Sequence, residues 1–294
     1  MSEDAGPKPA DVGLDGADGL RLHGLEWSRT GVPLLLVHGF SNEAHIWDDF
    51  APAVAPYYRT LAIDLRGHGD SDWDPEARYD YDHHVADLEA VVAGLDIERM
   101  VLVGHSLGGR VGTLFAGRNP DKLAGFVLVD SAPELDKRGT LRIRMDAEAD
   151  RDPSFAQPAE YESALSLAYP AATPAALRRM ARYGLRRRDD GRFVPKMDPA
   201  YRGFGRDPLD EDALAARERD LAERMWSALE SLACPTLVVR GAASDVLAAD
   251  MADRMVDEVI PDAKLAVVAQ AGHSVMTDNP DGFREAVCAF VLGE

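Results

Sequence analysis

Val101-Leu102-Val103-Gly104-His105-Ser106-Leu107-Gly108-Gly109 is the stretch that decides the fold. An apolar strand pattern, Met100–Val103, runs into Gly-x-Ser-x-Gly and then into the helical pattern Leu107–Arg118. Small residues at 104 and 108 let neighbouring backbone pass closely, so the Ser106 hydroxyl stands clear on a sharp strand-to-helix turn. The helix that starts at Leu107 aims backbone N–H groups at the same spot, where negative charge develops in acyl transfer. A Gly-rich turn without chemistry would also use small residues. The strand–turn–helix context favours a nucleophile.

Working outward, short continuous apolar runs alternate with longer helical patterns. Leu34–Val37, Thr60–Asp64, Phe126–Val129, Thr236–Arg240 and Leu265–Ala269 read as strands covered on both faces. Ile46–Ala55, Asp82–Leu95, Ala248–Val259 and Pro280–Leu292 read as helices, with Asp82 as an N-cap and Pro280 in a first turn. Such alternation implies an α/β fold with a mostly parallel sheet and right-handed crossovers. Gly19–Thr30 predicts one or two antiparallel strands at the sheet edge. From about Glu134 to Leu229 the strand signal disappears, and Pro recurs at 153, 158, 170, 174, 195, 199 and 208. A structureless loop of that length does not suit a compact domain, so this segment is expected to be an inserted helical cap. The predicted organisation is a disordered tail over 1–18, a core over 19–133 and 230–294, and a cap over 134–229.

Composition bounds the rest. The 294 residues are 46% hydrophobic and 28% charged, ordinary for a chain with a real core. A net charge of −19 repels nucleic acid and anionic membranes. Cys234 and Cys288 sit in apolar surroundings and read as free thiols. Residues 1–18 carry no basic or apolar leader pattern, and no apolar run approaches the ~18 residues of a membrane helix. The expectation is a cytoplasmic protein without nucleic-acid or membrane partners; a homodimer is compatible with the sequence but not required by it.

Two further segments bear on chemistry. Leu34-Leu35-Leu36-Val37-His38-Gly39-Phe40 is a buried strand ending in a loop, from which the backbone N–H of Phe40 is expected to pair with that of Leu107 as an oxyanion hole. His38 then has a loop-ordering role. Val267-Val268-Ala269-Gln270-Ala271-Gly272-His273-Ser274 places a histidine after the last strand, in the chain order serine, acid, histidine. His273 is the expected general base. Asp130, at a strand end, and Asp245, five residues past one, are the candidate acids. Asp245 is favoured because its loop has length to turn back, and because 28 residues, one helix plus one strand, separate it from His273. Asp130 would then anchor the turn into the cap. Asp64 and Asp70–Asp72 read as caps of the Asp64–Gly69 loop. His83 and His84 with Asp80 and Asp82 match no common metal-ligand spacing, so no metal is expected. The arginines between 178 and 192 read as a solvated, ion-paired face, with attraction of an anionic substrate group as the lesser reading.

Taken together, His38-Gly39-Phe40, Asp64-Leu65-Arg66-Gly67-His68-Gly69-Asp70-Ser71, Gly104–Gly109, Arg240-Gly241 through Asp245, and Gly272-His273 resemble the α/β-hydrolase superfamily. The likeness runs from about Leu20 to Leu292 and is to the branch with a helical cap between strands six and seven. It implies a cofactor-independent Ser–His–Asp hydrolase of the carboxylesterase type acting on a small-molecule ester; the family pattern allows the acid at either Asp130 or Asp245, and the loop-length argument selects Ser106, His273 and Asp245 as triad. Capped relatives with an aspartate nucleophile are disfavoured by Ser106. Lactone and carbon–carbon bond hydrolysis on the same scaffold remain open, as does a non-catalytic ligand-binding role. Met145, Phe155, Tyr161, Leu165, Tyr169, Met180, Tyr183 and Met225 are expected to roof an apolar pocket.

Overall fold

The computed structural model describes residues 8–149, 153–203 and 211–293. An eight-stranded sheet forms its centre, ordered β1-β2-β4-β3-β5-β6-β9-β10. Its strands are β1 (Ala10–Asp15), β2 (Arg21–Glu26), β3 (Val32–Val37), β4 (Tyr58–Ile63), β5 (Met100–His105), β6 (Leu123–Val129), β9 (Thr236–Gly241) and β10 (Ala263–Val268). The six from β3 onward in this list pair in parallel, while β1 and β2 pair antiparallel at one edge. Every residue of β5 is buried. That explains its unbroken apolar run, because a strand covered on both faces has no outward side to mark with polar residues.

Helices cover both faces: α1 (Ala51–Val54), α2 (Tyr81–Gly94), α3 (Leu107–Arg118), α8 (Ala249–Arg254), α9 (Val275–Asp278) and α10 (Pro280–Leu292). One apolar cluster joins α2 and α3 to the sheet through Leu88, Val111, Phe115 and Phe126. The other joins α1 and α10 to its opposite face through Trp47, Phe50 and Phe283. Phe126 and Phe283 are fully buried, each a contribution of about 2–3 kcal/mol from removed apolar surface. The cap of α2 is Asp80, which accepts from His83 N–H, rather than Asp82. Asp82 instead receives Arg118 and Arg224. Pro280 does open α10, behind an Asn279 cap.

Between β6 and β9 come α4 (Lys137–Ala149), α5 (Pro158–Ala168), α6 (Pro174–Tyr183), β7 (Leu185–Arg187), β8 (Phe193–Pro195) and α7 (Glu211–Glu230). Three sequence expectations need correction. First, the tail predicted over 1–18 contains β1; Asp11, Gly13 and Asp15 gave it the composition of a tail and hid a strand whose polar side faces out, and residues 1–7 lie outside the described part. Second, the segment 134–229 is not purely helical. A β7–β8 hairpin forms a separate two-stranded sheet, too short to register as a strand pattern; residues 150–152 and 204–210 of that segment lie outside the description. Third, α7 packs on the core rather than roofing the pocket. Met225 and Leu229 are fully buried in the main cluster, Arg110 Nε reaches Met225 Sδ at 3.4 Å, and Gly117 leaves room for Ala228. No described helix is long and apolar enough to cross a membrane.

At the β1–β2 edge, His23 sits between Asp64 (2.8 Å) and Asp11 (3.0 Å). Burial acts to lower its pKa, but the hydrogen bond and charge of Asp64, with Asp11 and Asp70, outweigh this and raise it to about 9. A raised histidine stabilises fully below its unfolded value of about 6.5 and loses that contribution as pH climbs through about 9. After allowance for solvent screening at exposed Asp11, the effect is about 1–2 kcal/mol. Wild type should therefore melt above His23→Gln at about pH 6, with the gap closing by about pH 10. A pH-independent gap in thermal denaturation would contradict it.

Candidate active site

Ser106 occupies the turn between β5 and α3 at φ 50°, ψ −113°. A non-glycine residue there is strained by about 1–3 kcal/mol and persists only where its surroundings fix it. Here they do. Ser106 N–H donates to Val129 C=O (3.0 Å), and Ser131 Oγ donates to Ser106 C=O (2.9 Å). A Cβ on Gly104 would lie 2.5 Å from Gly108 O, and one on Gly108 would lie 2.3 Å from Val37 O. The two glycines are therefore dictated by the close passage of α3 over β3 and β5.

Ser106 Oγ donates to His273 Nε2 at 3.0 Å, and His273 Nδ1–H donates to Asp130 Oδ1 at 2.8 Å. Asp130 is fully buried at the end of β6, with φ 45°. Its carboxylate also accepts from Ser244 Oγ (2.6 Å) and Gly241 N–H (3.0 Å). These donors satisfy a carboxylate that is shut off from water. The histidine loop is tied down from two sides: His105 Nε2–H donates to His273 C=O (3.0 Å), and Gly272 N–H donates to Asp278 (2.8 Å). Burial, followed by the neighbouring His273, holds His105 well below the usual histidine range, so it stays neutral and structural.

The expectation that Asp245 holds the imidazole is corrected. Asp245 makes a two-pronged ion pair with Arg142 of α4, at 2.7 and 2.8 Å, whose hydrogen bond keeps its carboxyl below the ordinary value. The reason is topological. In the sheet β6 lies next to β5, so a carboxylate at the end of β6 sits beside the serine turn, and the left-handed backbone of Asp130 turns its side chain to the histidine loop. The longer loop after β9 carries Asp245 outward to the cap.

The structure brings Phe40 to the same place. Phe40 lines the same cavity as Ser106, and a Cβ on the preceding Gly39 would fall 3.2 Å from Ser106 Cβ. Leu107 begins α3, where first-turn N–H groups have no intrahelical acceptor. His38 orders the loop by accepting Leu65 N–H at 3.0 Å. Asp64 does likewise by accepting Ala44 N–H (2.6 Å) and Asp70 N–H (2.9 Å). His83 and His84 do not converge on one site: His83 bonds Asp80, and buried His84 bonds Tyr201 OH at 2.7 Å.

Above Ser106 lies a cavity of about 930 Å³ between the sheet's C-terminal edge and the cap. Tyr161, Leu165 and Tyr169 line it as expected. Met180 instead packs inside the cap, Tyr183 stacks on His45 at 3.5 Å, and Met145 is exposed. Glu43, Arg142 and Lys196 also line the cavity and were missed. Their signal was weak, because a lone charge in a loop or cap helix ordinarily faces solvent.

The family described as the alpha/beta hydrolase fold matches residues 32–280. The chain is 27% identical over 264 residues to the 2-(acetamidomethylene)succinate hydrolase of Mesorhizobium japonicum, covering 89% of this chain and 88% of that one. It is 28% identical over 275 residues to an esterase of Mycobacterium tuberculosis, covering 90% and 85%. A crystal structure of E-2-(acetamidomethylene)succinate hydrolase superposes with a TM-score of 0.81 at 26% identity, covering 96% of this chain and 99% of that one.

The two acids are separable by mutation. Asp130→Asn should lower kcat for p-nitrophenyl acetate by about 10⁴-fold, the scale for losing the group that fixes a histidine tautomer. Asp245→Asn should stay within about tenfold of wild type, the scale of opening a half-exposed ion pair. The reverse pattern would restore Asp245 as the acid.

Proposed function

The chain belongs to the alpha/beta hydrolase fold family, and on that premise we propose that it is a serine hydrolase cleaving carboxylic esters through an acyl-enzyme. The observation that carries the reading is the unbroken relay Ser106 Oγ–His273–Asp130 at the floor of the cavity. His273 Nε2 takes the hydroxyl proton as Ser106 attacks the substrate carbonyl. Asp130 holds the imidazole in the tautomer with Nδ1 protonated and stabilises the imidazolium. The amides of Phe40 and Leu107 donate to the oxyanion. The imidazolium returns its proton to the departing alcohol; His273 then activates a water that releases the acid.

A purely ligand-binding role does not account for a strained serine held at hydrogen-bond distance from a base. A second bond class is favoured by one observation. A relative matched over most of both chains is named for an acetamido compound, so amide hydrolysis by the same relay stands beside ester hydrolysis.

Ser106→Ala should fold normally, lose labelling by a fluorophosphonate, and lose about 10⁴-fold or more in kcat on p-nitrophenyl butyrate. Near-normal turnover by this variant would remove the acyl-enzyme mechanism. A panel of esters, amides and lactones then ranks the bond classes by kcat/KM.

A further inference from the structure

Among the described residues, the cavity wall carries two cations, Arg142 and Lys196, and three carboxyl groups, Glu43, Asp245 and Asp278. Both cations are already engaged. Arg142 forks onto Asp245, and Lys196 Nζ donates to Asp70. The remaining carboxyls have no cation of their own in the wall. Asp278 spends one oxygen on Gly272 N–H, and burial raises its pKa. Glu43 spends one on His45 N–H at 2.8 Å. Burial, with the charges of Asp64 and Asp48 working the same way and Lys196 opposing, raises Glu43 to about 8. At neutral pH it is largely uncharged. Above that it adds a negative charge to the wall.

Among the described residues, an incoming carboxylate therefore meets no cation that is not already paired. It must compete with Asp245 or Asp70 for one, or be buried near Glu43 and Asp278, and a buried charge without its own partner is costly. The net charge of −19 opposes anions at longer range as well. Neutral chains meet Ile143, Leu165 and Leu167 on the cap side. Building on the reading of the site as a serine hydrolase, we infer that the cavity selects substrates that are uncharged around the scissile bond, and that the Arg142–Asp245 pair enforces this. The pair is partly exposed, with side-chain accessibilities of 40% and 35%. Opening it costs little, so the discrimination is expected to be about one order of magnitude.

The test is a matched pair of esters that differ only at the far carboxyl, methylated and neutral in p-nitrophenyl methyl adipate, free and anionic in p-nitrophenyl hydrogen adipate. Wild type should favour the neutral diester by about tenfold in kcat/KM near pH 7. Asp245→Asn leaves Arg142 without this counter-ion, and should raise kcat/KM for the hydrogen adipate by about tenfold, mainly through KM. Equal or faster turnover of the anion by wild type overturns the inference, as does an Asp245→Asn variant with no gain on it. Calorimetric binding of dimethyl adipate and of adipate to Ser106→Ala reads the same preference without turnover. Preference for the dimethyl ester supports the inference; equal affinity, tighter adipate or no binding of either overturns it. Failure to release nitrophenolate from both esters, with dimethyl adipate still preferred, would instead count against the ester-hydrolase reading alone.

Discussion

The tightness of the turn from β5 into α3 is the constraint on which the site depends. Ser106 sits at φ 50° because α3 must start within a few ångströms of β3 and β5, and it can do so only over Gly104 and Gly108. The strain is of the order of 1–3 kcal/mol. It is offset by hydrogen bonds from neighbouring strand ends: Val129 at the end of β6, and Ser131 just beyond it. The residues that hold the turn therefore lead directly into Asp130. Serine geometry and acid position arise from one local arrangement of two adjacent parallel strands.

That arrangement frees the loop after β9. With Asp130 holding His273, the Asp245 carboxylate has no part in the relay, and it reaches α4 of the cap instead. Ser244 keeps a link between the two: its hydroxyl donates to Asp130 Oδ1 and accepts from Val246 and Leu247 N–H. One seven-residue loop, 242–248, thus steadies the buried acid with Ser244 and ties down the roof with Asp245. A cation recruited from the cap to neutralise Asp245 is, by the same contact, withheld from substrate.

What was legible in the sequence follows from which physical signals are local. The β5 run, the glycines of the turn, His38-Gly39 and Gly272-His273 were readable because their constraints act over a few neighbouring residues. Leu107–Arg118 and Pro280–Leu292 were readable to their ends for the same reason, through turn and cap chemistry. The acid was not. Chain spacing measures loop length, whereas the choice between Asp130 and Asp245 turns on the backbone twist at one residue and on strand order in the sheet. The β1 strand was obscured because an edge strand whose wet face is Asp11, Gly13 and Asp15 has the composition of a tail. Met225 was misplaced because an apolar residue in a cap-like segment gives no sign of which surface it packs against.

The arginine-rich stretch of the cap acquires a role through its partners. Arg179 forks onto Asp49 at 3.0 and 2.6 Å, Arg186 lies over the Trp73 ring, and Lys196 reaches Asp70. Asp198 accepts from Tyr79, Tyr201 meets His84, and Tyr183 stacks on His45. Apart from α7, the cap is thus joined to the core largely by polar and aromatic contacts. Partly exposed ion pairs of this kind contribute about 0–1 kcal/mol each, against about 1.5–3 kcal/mol for each large apolar side chain buried under the sheet. Per contact the cap–core joint is therefore the weaker layer, and it lies directly over the serine. The sheet keeps Ser106, His273 and Asp130 in register on its own hydrogen bonds and packing, so the roof above them can be held by weaker contacts without loosening the relay.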